Sequence, residues 1–325
     1  MSQSGGQHHV IATESCGNVD VYVQGNLAAK KTVILTVHDM GSNHLSFHAF
    51  LSHPSMSEIC SRSTIVHVVL PGQVDGAEDL PETFKFPTMD QLGNELVCVL
   101  DQLRITYVVG FGDGTGANIL ARFALVHPKR CLGIILMHPT STKAGLMEYM
   151  KDKLIGSTLK SGQLKPTAED YLVFHKFGEK LVEVAQEERD VMLEDYTDHL
   201  KTKMNPKNLN RYVQSFVSRT DISAQLCNMS VDVLIVVGSK ASHLHTTQTF
   251  HSHLPPTKSS LVIIDGVGDV LVEAADKVAH SLLLFLKGCG ILPSVRLPGQ
   301  EVRSSSFNKS RGMSMEDYDK PTKRV

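Results

Sequence analysis

The 325-residue chain has no C-x-x-C pair, no long apolar run, no sizeable charge excess and no tryptophan. Its six cysteines, Cys16, Cys60, Cys98, Cys131, Cys227 and Cys289, are scattered. That spacing argues against a zinc site or a disulfide framework and fits a reduced, cytoplasmic protein. Cys98 and Cys131 fall inside apolar runs, where a free thiol packs as a small hydrophobe. The longest apolar stretches, such as SLLLFL and VLIVVG, are far too short to cross a bilayer. The opening MSQSGGQHHV has neither the basic nor the apolar region of a signal peptide. A formal net charge of -2 offers no electrostatic ground for a nucleic-acid partner.

What is present reads as strands alternating with helices. NVDVYVQG alternates like an early, antiparallel strand, while KTVILTVHD, STIVHVVLPG and CLGIILMHP are the β-branched apolar runs of buried parallel strands. PTMDQLGNELVCVLDQL predicts a helix that opens on a capping box of Thr88 and Gln91. Its Leu92, Leu96, Val99, Leu100 and Leu103 recur at helical spacing. Alternation lapses between about residues 140 and 230, which are charged and helix-prone, and resumes with VDVLIVVGS and SSLVIIDGVGD. The pattern predicts a mostly parallel sheet flanked by helices, with a helical cap inserted over its carboxyl edge. One domain is expected over residues 1–292, and a disordered tail rich in Ser, Arg and Lys over residues 293–325.

The stretch ITYVVGFGDGTGANIL places a strand, a glycine turn and a helix in succession. In hydrolases of the α/β type that turn reads G-x-S-x-G and exposes the nucleophile. Centred on Gly110 and Gly114, the frame puts Gly112 at the nucleophile. The acid position, three past the glycine of VVGSKAS, is Ala241, and the base position in DGVGDVLVEA is Asp269. A Ser-His-Asp mechanism needs an oxygen nucleophile, an imidazole and an orienting acid, and none of the three stands where it is needed. Asp113 as a relocated carboxylate nucleophile is the alternative. Its neighbours two positions away, Phe111 and Thr115, are bulkier than the elbow tolerates. The same glycines also match G-x-G-x-x-A, but no acidic residue ends the next strand to hold a ribose.

Four segments in order, VHDMGSNH (37–44), PGQVDGA (71–77), FPTMDQL (86–92) and GFGDGTGANILARFALVHPKRCLGIIL (110–136), resemble the N-myc downstream-regulated (Ndr) family. The resemblance implies an α/β-hydrolase fold without hydrolase activity. It also implies roles in growth, differentiation, stress signalling and trafficking, and a phosphorylated C-terminal tail. Asp113 and Thr115 depart from the small or apolar residues usual there, and the missing tryptophan and missing tail repeats also mark a divergent member.

His38, Asp39, Gly112 and Asp113 are the candidates for a vestigial pocket that binds a small ligand or a lipid head group. The competing reading has His38 and Asp39 hydrogen-bond the turn that carries Gly41. His243-x-His245 and His251-x-His253 are spaced for a strand and lack a nearby carboxylate or Cys, so neither a metal nor a cofactor is expected. Ser304, Ser305, Ser306, Ser310 and Ser314 stand among basic or acidic residues suited to kinases. Protein partners are expected at the cap or tail, together with peripheral membrane contact.

Overall fold

The β-branched runs form the strands that cross the middle of the molecule. The computed structural model describes residues 6–29, 31–143 and 166–295. Among them one sheet contains β1 (Gln7–Thr13), β2 (Gly17–Gln24), β3 (Thr32–Val37) and β4 (Ser63–Val69). It continues with β5 (Val108–Asp113), β6 (Cys131–Met137), β7 (Val233–Gly238) and β8 (Ser259–Ile264). Their order is β1-β2-β4-β3-β5-β6-β7-β8. β2 runs antiparallel to both β1 and β4, and every other pairing is parallel. Every residue of β4, β5 and β7 is buried, as a strand must be when helices cover both faces. β2 buries Val19, Val21 and Val23 on one side only, which is the alternation visible in its sequence. β1 escaped the sequence reading because it is an edge strand, mostly exposed, with one fully buried position at Ile11.

Helix α1 (Met89–Gln102) starts on the expected capping box, with Thr88 and Gln91 each bonding the other's backbone. Helix α2 (Thr115–Val126) follows β5 and is buried from Thr115 through Ala124. Its Arg122 is satisfied inside by Asp90, by Asn118 Oδ1 at 2.9 Å and by the Thr220 carbonyl at 2.6 Å. Between β6 and β7 the described residues form α3 (Pro166–Phe177), α4 (Gln186–Thr202) and α5 (Pro206–Val217). Helices α6 (Leu244–Ser252) and α7 (Ala275–Gly288) complete the alternation.

The chain leaves β3 to one side of the sheet centre and β5 to the other, and a crevice opens between their carboxyl ends. Cap helices stand over it: the Tyr212 hydroxyl of α5 donates to the His38 carbonyl at 3.1 Å, and Tyr196 and Leu200 of α4 close on Gly41. The compact unit ends at Val295, which is itself buried. The rest of the tail, with all five candidate serines, lies outside the described residues.

Candidate functional site

The turn from β5 into α2 sets the geometry. Gly114 adopts φ 49° and ψ -110°, a strained conformation that the nucleophile of a strand-turn-helix elbow occupies. The flanking glycines are Gly112 and Gly116. A Cβ on Gly112 would stand 2.8 Å from the Ala117 backbone nitrogen, and one on Gly116 would stand 2.1 Å from the Val37 oxygen. The nucleophile position is therefore Gly114, and the expectation of Gly112 is corrected by two residues. Glycines at 110, 112, 114 and 116 fit the G-x-x-x-G spacing in either frame. Only the backbone contacts choose between them. Both frames leave the position without a side chain.

Asp39 fills the space that Gly114 leaves. A Cβ on Gly114 would lie 2.4 Å from the Asp39 Cγ and from both its oxygens. Asp39 Oδ1 accepts from the Met40 N–H at 2.8 Å and from the Thr115 N–H at 2.8 Å. These are the N–H that follows β3 and the N–H that follows the elbow residue, the pair from which an oxyanion hole is built in this architecture. Oδ2 lies 2.9 Å from His175 Nε2 of α3. Burial alone would raise the Asp39 carboxyl, but His175 and the Thr115 N–H hold it well below the usual carboxylate range.

Two more carboxylates converge beneath the cap. Asp269, at the position expected of the general base, instead caps the short helix Val270–Glu273 by accepting from Leu271 N–H at 2.9 Å and Val272 N–H at 3.3 Å. Lys176 Nζ of α3 stands 2.7 Å from Asp269 Oδ2 and 3.9 Å from Asp113 Oδ2. Burial disfavours the charged amine, yet Asp269 and Asp113 hold Lys176 protonated far above its ordinary range. Burial would likewise raise Asp269, and Lys176 then lowers it. His138, in left-handed backbone at φ 49°, brings Nδ1 to 3.4 Å from Asp113 Oδ1. The chamber between these groups measures about 20 Å³, room for roughly one water. Larger grooves are built from other residues, among them one of about 530 Å³ against Val262, Leu284 and Phe285.

Of the residues singled out from sequence, Asp39, Asp113, His243 and Asp269 meet at this chamber. His38 does not line it. Its Nε2 accepts from the Leu70 N–H at 3.1 Å, so Nδ1 donates to the Asp39 carbonyl at 2.8 Å, and the ring ties the end of β3 to the end of β4. Ala241 follows β7 in a loop, Ser239 to His243, that carries no carboxylate. His245 and His251 lie on helix α6 rather than on a strand. Among the described residues no group of three His, Cys, Asp or Glu side chains is arranged to hold a metal. Sequence reasoning missed His138, His175 and Lys176. The available signal was the pair His175-Lys176 inside the otherwise apolar YLVFHKF, since ionisable groups in such a run need buried partners.

A model of the Ndr family matches residues 8–293. An uncharacterized protein of Caenorhabditis elegans is 43% identical, over 99% of this chain and 95% of its own. Protein NDRG3 of Xenopus laevis is 31% identical, over 96% of this chain and 83% of its own. Among solved structures, a thermophilic esterase from Thermogutta terrifontis superposes with a TM-score of 0.71 at 16% identity, covering 87% of this chain and 99% of that one. An α/β hydrolase from a deep-sea metagenome library gives 0.69, also at 16% identity, covering 87% and 97%. At such identity the likeness is one of fold, and the fold is that of the α/β hydrolases.

Proposed function

We propose, of a chain that belongs to the Ndr family, that it uses the α/β-hydrolase fold as a non-catalytic scaffold in signalling. One observation carries this reading: Asp39 Oδ1 occupies both N–H donors of the oxyanion hole above a Gly114 that has no side chain. A substrate carbonyl would have to displace a buried, charged and hydrogen-bonded carboxylate, and would then meet no nucleophile. Partners are proposed to dock on the cap or the tail, with peripheral membrane contact, in a cytoplasmic protein. No helix among the described residues is long and apolar enough to cross a membrane.

A second reading has its own support. Asp113 faces His138 at 3.4 Å, the beginnings of a carboxylate-imidazole pair. A panel of activated esters and epoxides, assayed beside heat-denatured protein and Asp113→Asn, separates the two. The expected rate is that of the denatured control in every case. Turnover above it that disappears in Asp113→Asn would overturn the scaffold.

The tail serines Ser304, Ser305, Ser306, Ser310 and Ser314 are proposed as phosphorylation sites that alter its charge and docking. Mass spectrometry of protein from its own cells is expected to find phosphate on at least one. Complete coverage of the tail peptides without modification would refute this.

A further inference from the structure

We infer that the chamber beneath the cap is a site for a primary alkylammonium group, which Lys176 fills from within the chain. The inference rests on reading the chamber as non-catalytic, since a nucleophilic Asp113 would commit the same oxygen to a substrate carbon.

Two carboxylates define the site, and each gives it one oxygen. Asp269 spends Oδ1 on the N–H groups of Leu271 and Val272, which leaves Oδ2 to the ammonium at 2.7 Å. Asp113 turns Oδ1 to His138 and aims Oδ2 at the same nitrogen from 3.9 Å. The second distance is too long for a hydrogen bond. Lys176 is tethered to α3, so its nitrogen rests against one carboxylate and stops short of the other. The rings of Tyr196 and Phe177 lie 5.7 and 6.0 Å from Nζ, within reach of cation–π attraction. The adjoining space holds roughly one water.

A cationic head facing two carboxylate oxygens, with space beside it for about one water, describes a primary ammonium ion with its three N–H donors. A planar guanidinium or a tetramethylammonium is bulkier than the primary ammonium head that stands against the two acids, and tetramethylammonium has no N–H to donate. A neutral alcohol would leave both carboxylates buried without a counter-charge. An untethered amine can centre between the two oxygens, which the Lys176 stem prevents.

Lys176→Ala removes the stem beyond Cβ, and propylammonium has the length and charge to replace it. Thermal unfolding of the full chain is followed with propylammonium chloride, and with tetramethylammonium chloride, propanol or sodium chloride at matched strength. The variant is expected to melt below wild type and to recover about 2–4 °C at roughly ten times the half-saturating amine, rising further with the logarithm of its concentration. Wild type, with its site filled, is expected to shift no more than it does in sodium chloride. The double variant Lys176→Ala/Asp269→Asn is expected to lose the recovery. Equal effects of propylammonium and tetramethylammonium, recovery that survives Asp269→Asn, or a Lys176→Ala chain that stays unfolded in propylammonium would each overturn the site. None of these outcomes touches the scaffold reading, which falls only to turnover in the ester and epoxide panel.

Discussion

Gly114→Ala is expected to cost about 2–6 kcal/mol of folding free energy, the sum of roughly 1–3 for a side chain in strained backbone and roughly 1–3 for overpacking. The backbone at φ 49° and ψ -110° supplies the first part. The second comes chiefly from Asp39, whose carboxylate atoms would lie nearest to the new methyl, at 2.4 Å. Asp39 has little freedom to yield, since its oxygens are held by Met40, Thr115 and His175. Asp39→Ala alone is also expected to destabilise, by about 1–3 kcal/mol for each buried donor left without its acceptor, first the N–H groups of Met40 and Thr115. In Asp39→Ala the steric part of the Gly114→Ala cost should vanish while the strain remains. Urea unfolding of the four proteins is therefore expected to give a favourable coupling of about 1–3 kcal/mol between the two sites. Additivity to within about 0.5 kcal/mol would mean that Asp39 does not fill the nucleophile's place.

That pair also marks how far the chain can be read without coordinates. β3, β5, β6 and β7 are legible because strands covered on both faces must be continuous apolar runs, and α1 is legible because its cap is local chemistry between Thr88 and Gln91. The turn is legible as a turn, but four glycines at alternate positions leave its centre open to two frames. Only the approach of Gly112 to Ala117 and of Gly116 to Val37 decides between them. Asp39 is visible as an acid at a strand end, yet its task depends on two backbone N–H groups and on His175, 136 residues further along. The direction of a side chain at a strand end is not a periodic property, and so His38 and Asp39, adjacent in sequence, part company in the fold. The acids are legible in the sequence and the cations are not. Lys176 and His175 reach the crevice only because the cap folds back over the sheet.

Stability is expected to fall steeply as pH drops from about 6.5 to about 4, and buried histidines rather than carboxylates are expected to carry the loss. His38 and His67 are fully buried. Burial lowers His38 from 6.5 to about 4, against the opposing pull of Asp39. Burial lowers His67 to about 3, helped by His44 and His48, whose rings lie 6.0 and 6.1 Å away. Protonating His38 would forfeit the hydrogen bond that its Nε2 accepts from Leu70, and protonating His67 would put a charge on a ring whose Nε2 has no partner. With folded pKa values below the unfolded 6.5, the unfolded chain takes up these protons first as the pH falls. It then binds more protons than the native state, so stability declines with falling pH until the folded values are reached. Each histidine contributes a slope of up to about 1.4 kcal/mol per pH unit. Asp39 and Asp269 are lowered as well, but from an ordinary carboxylate value of about 4, so their contribution is intact above about pH 4 and is lost only below it. The two windows separate the two causes. Urea unfolding of His67→Gln between pH 7 and pH 5 is expected to show a slope shallower than wild type by about one proton's worth, with the loss below pH 4 retained. An unchanged slope would show that His67 takes up its proton in the native state as readily as in the unfolded chain, and that its ring is open to water.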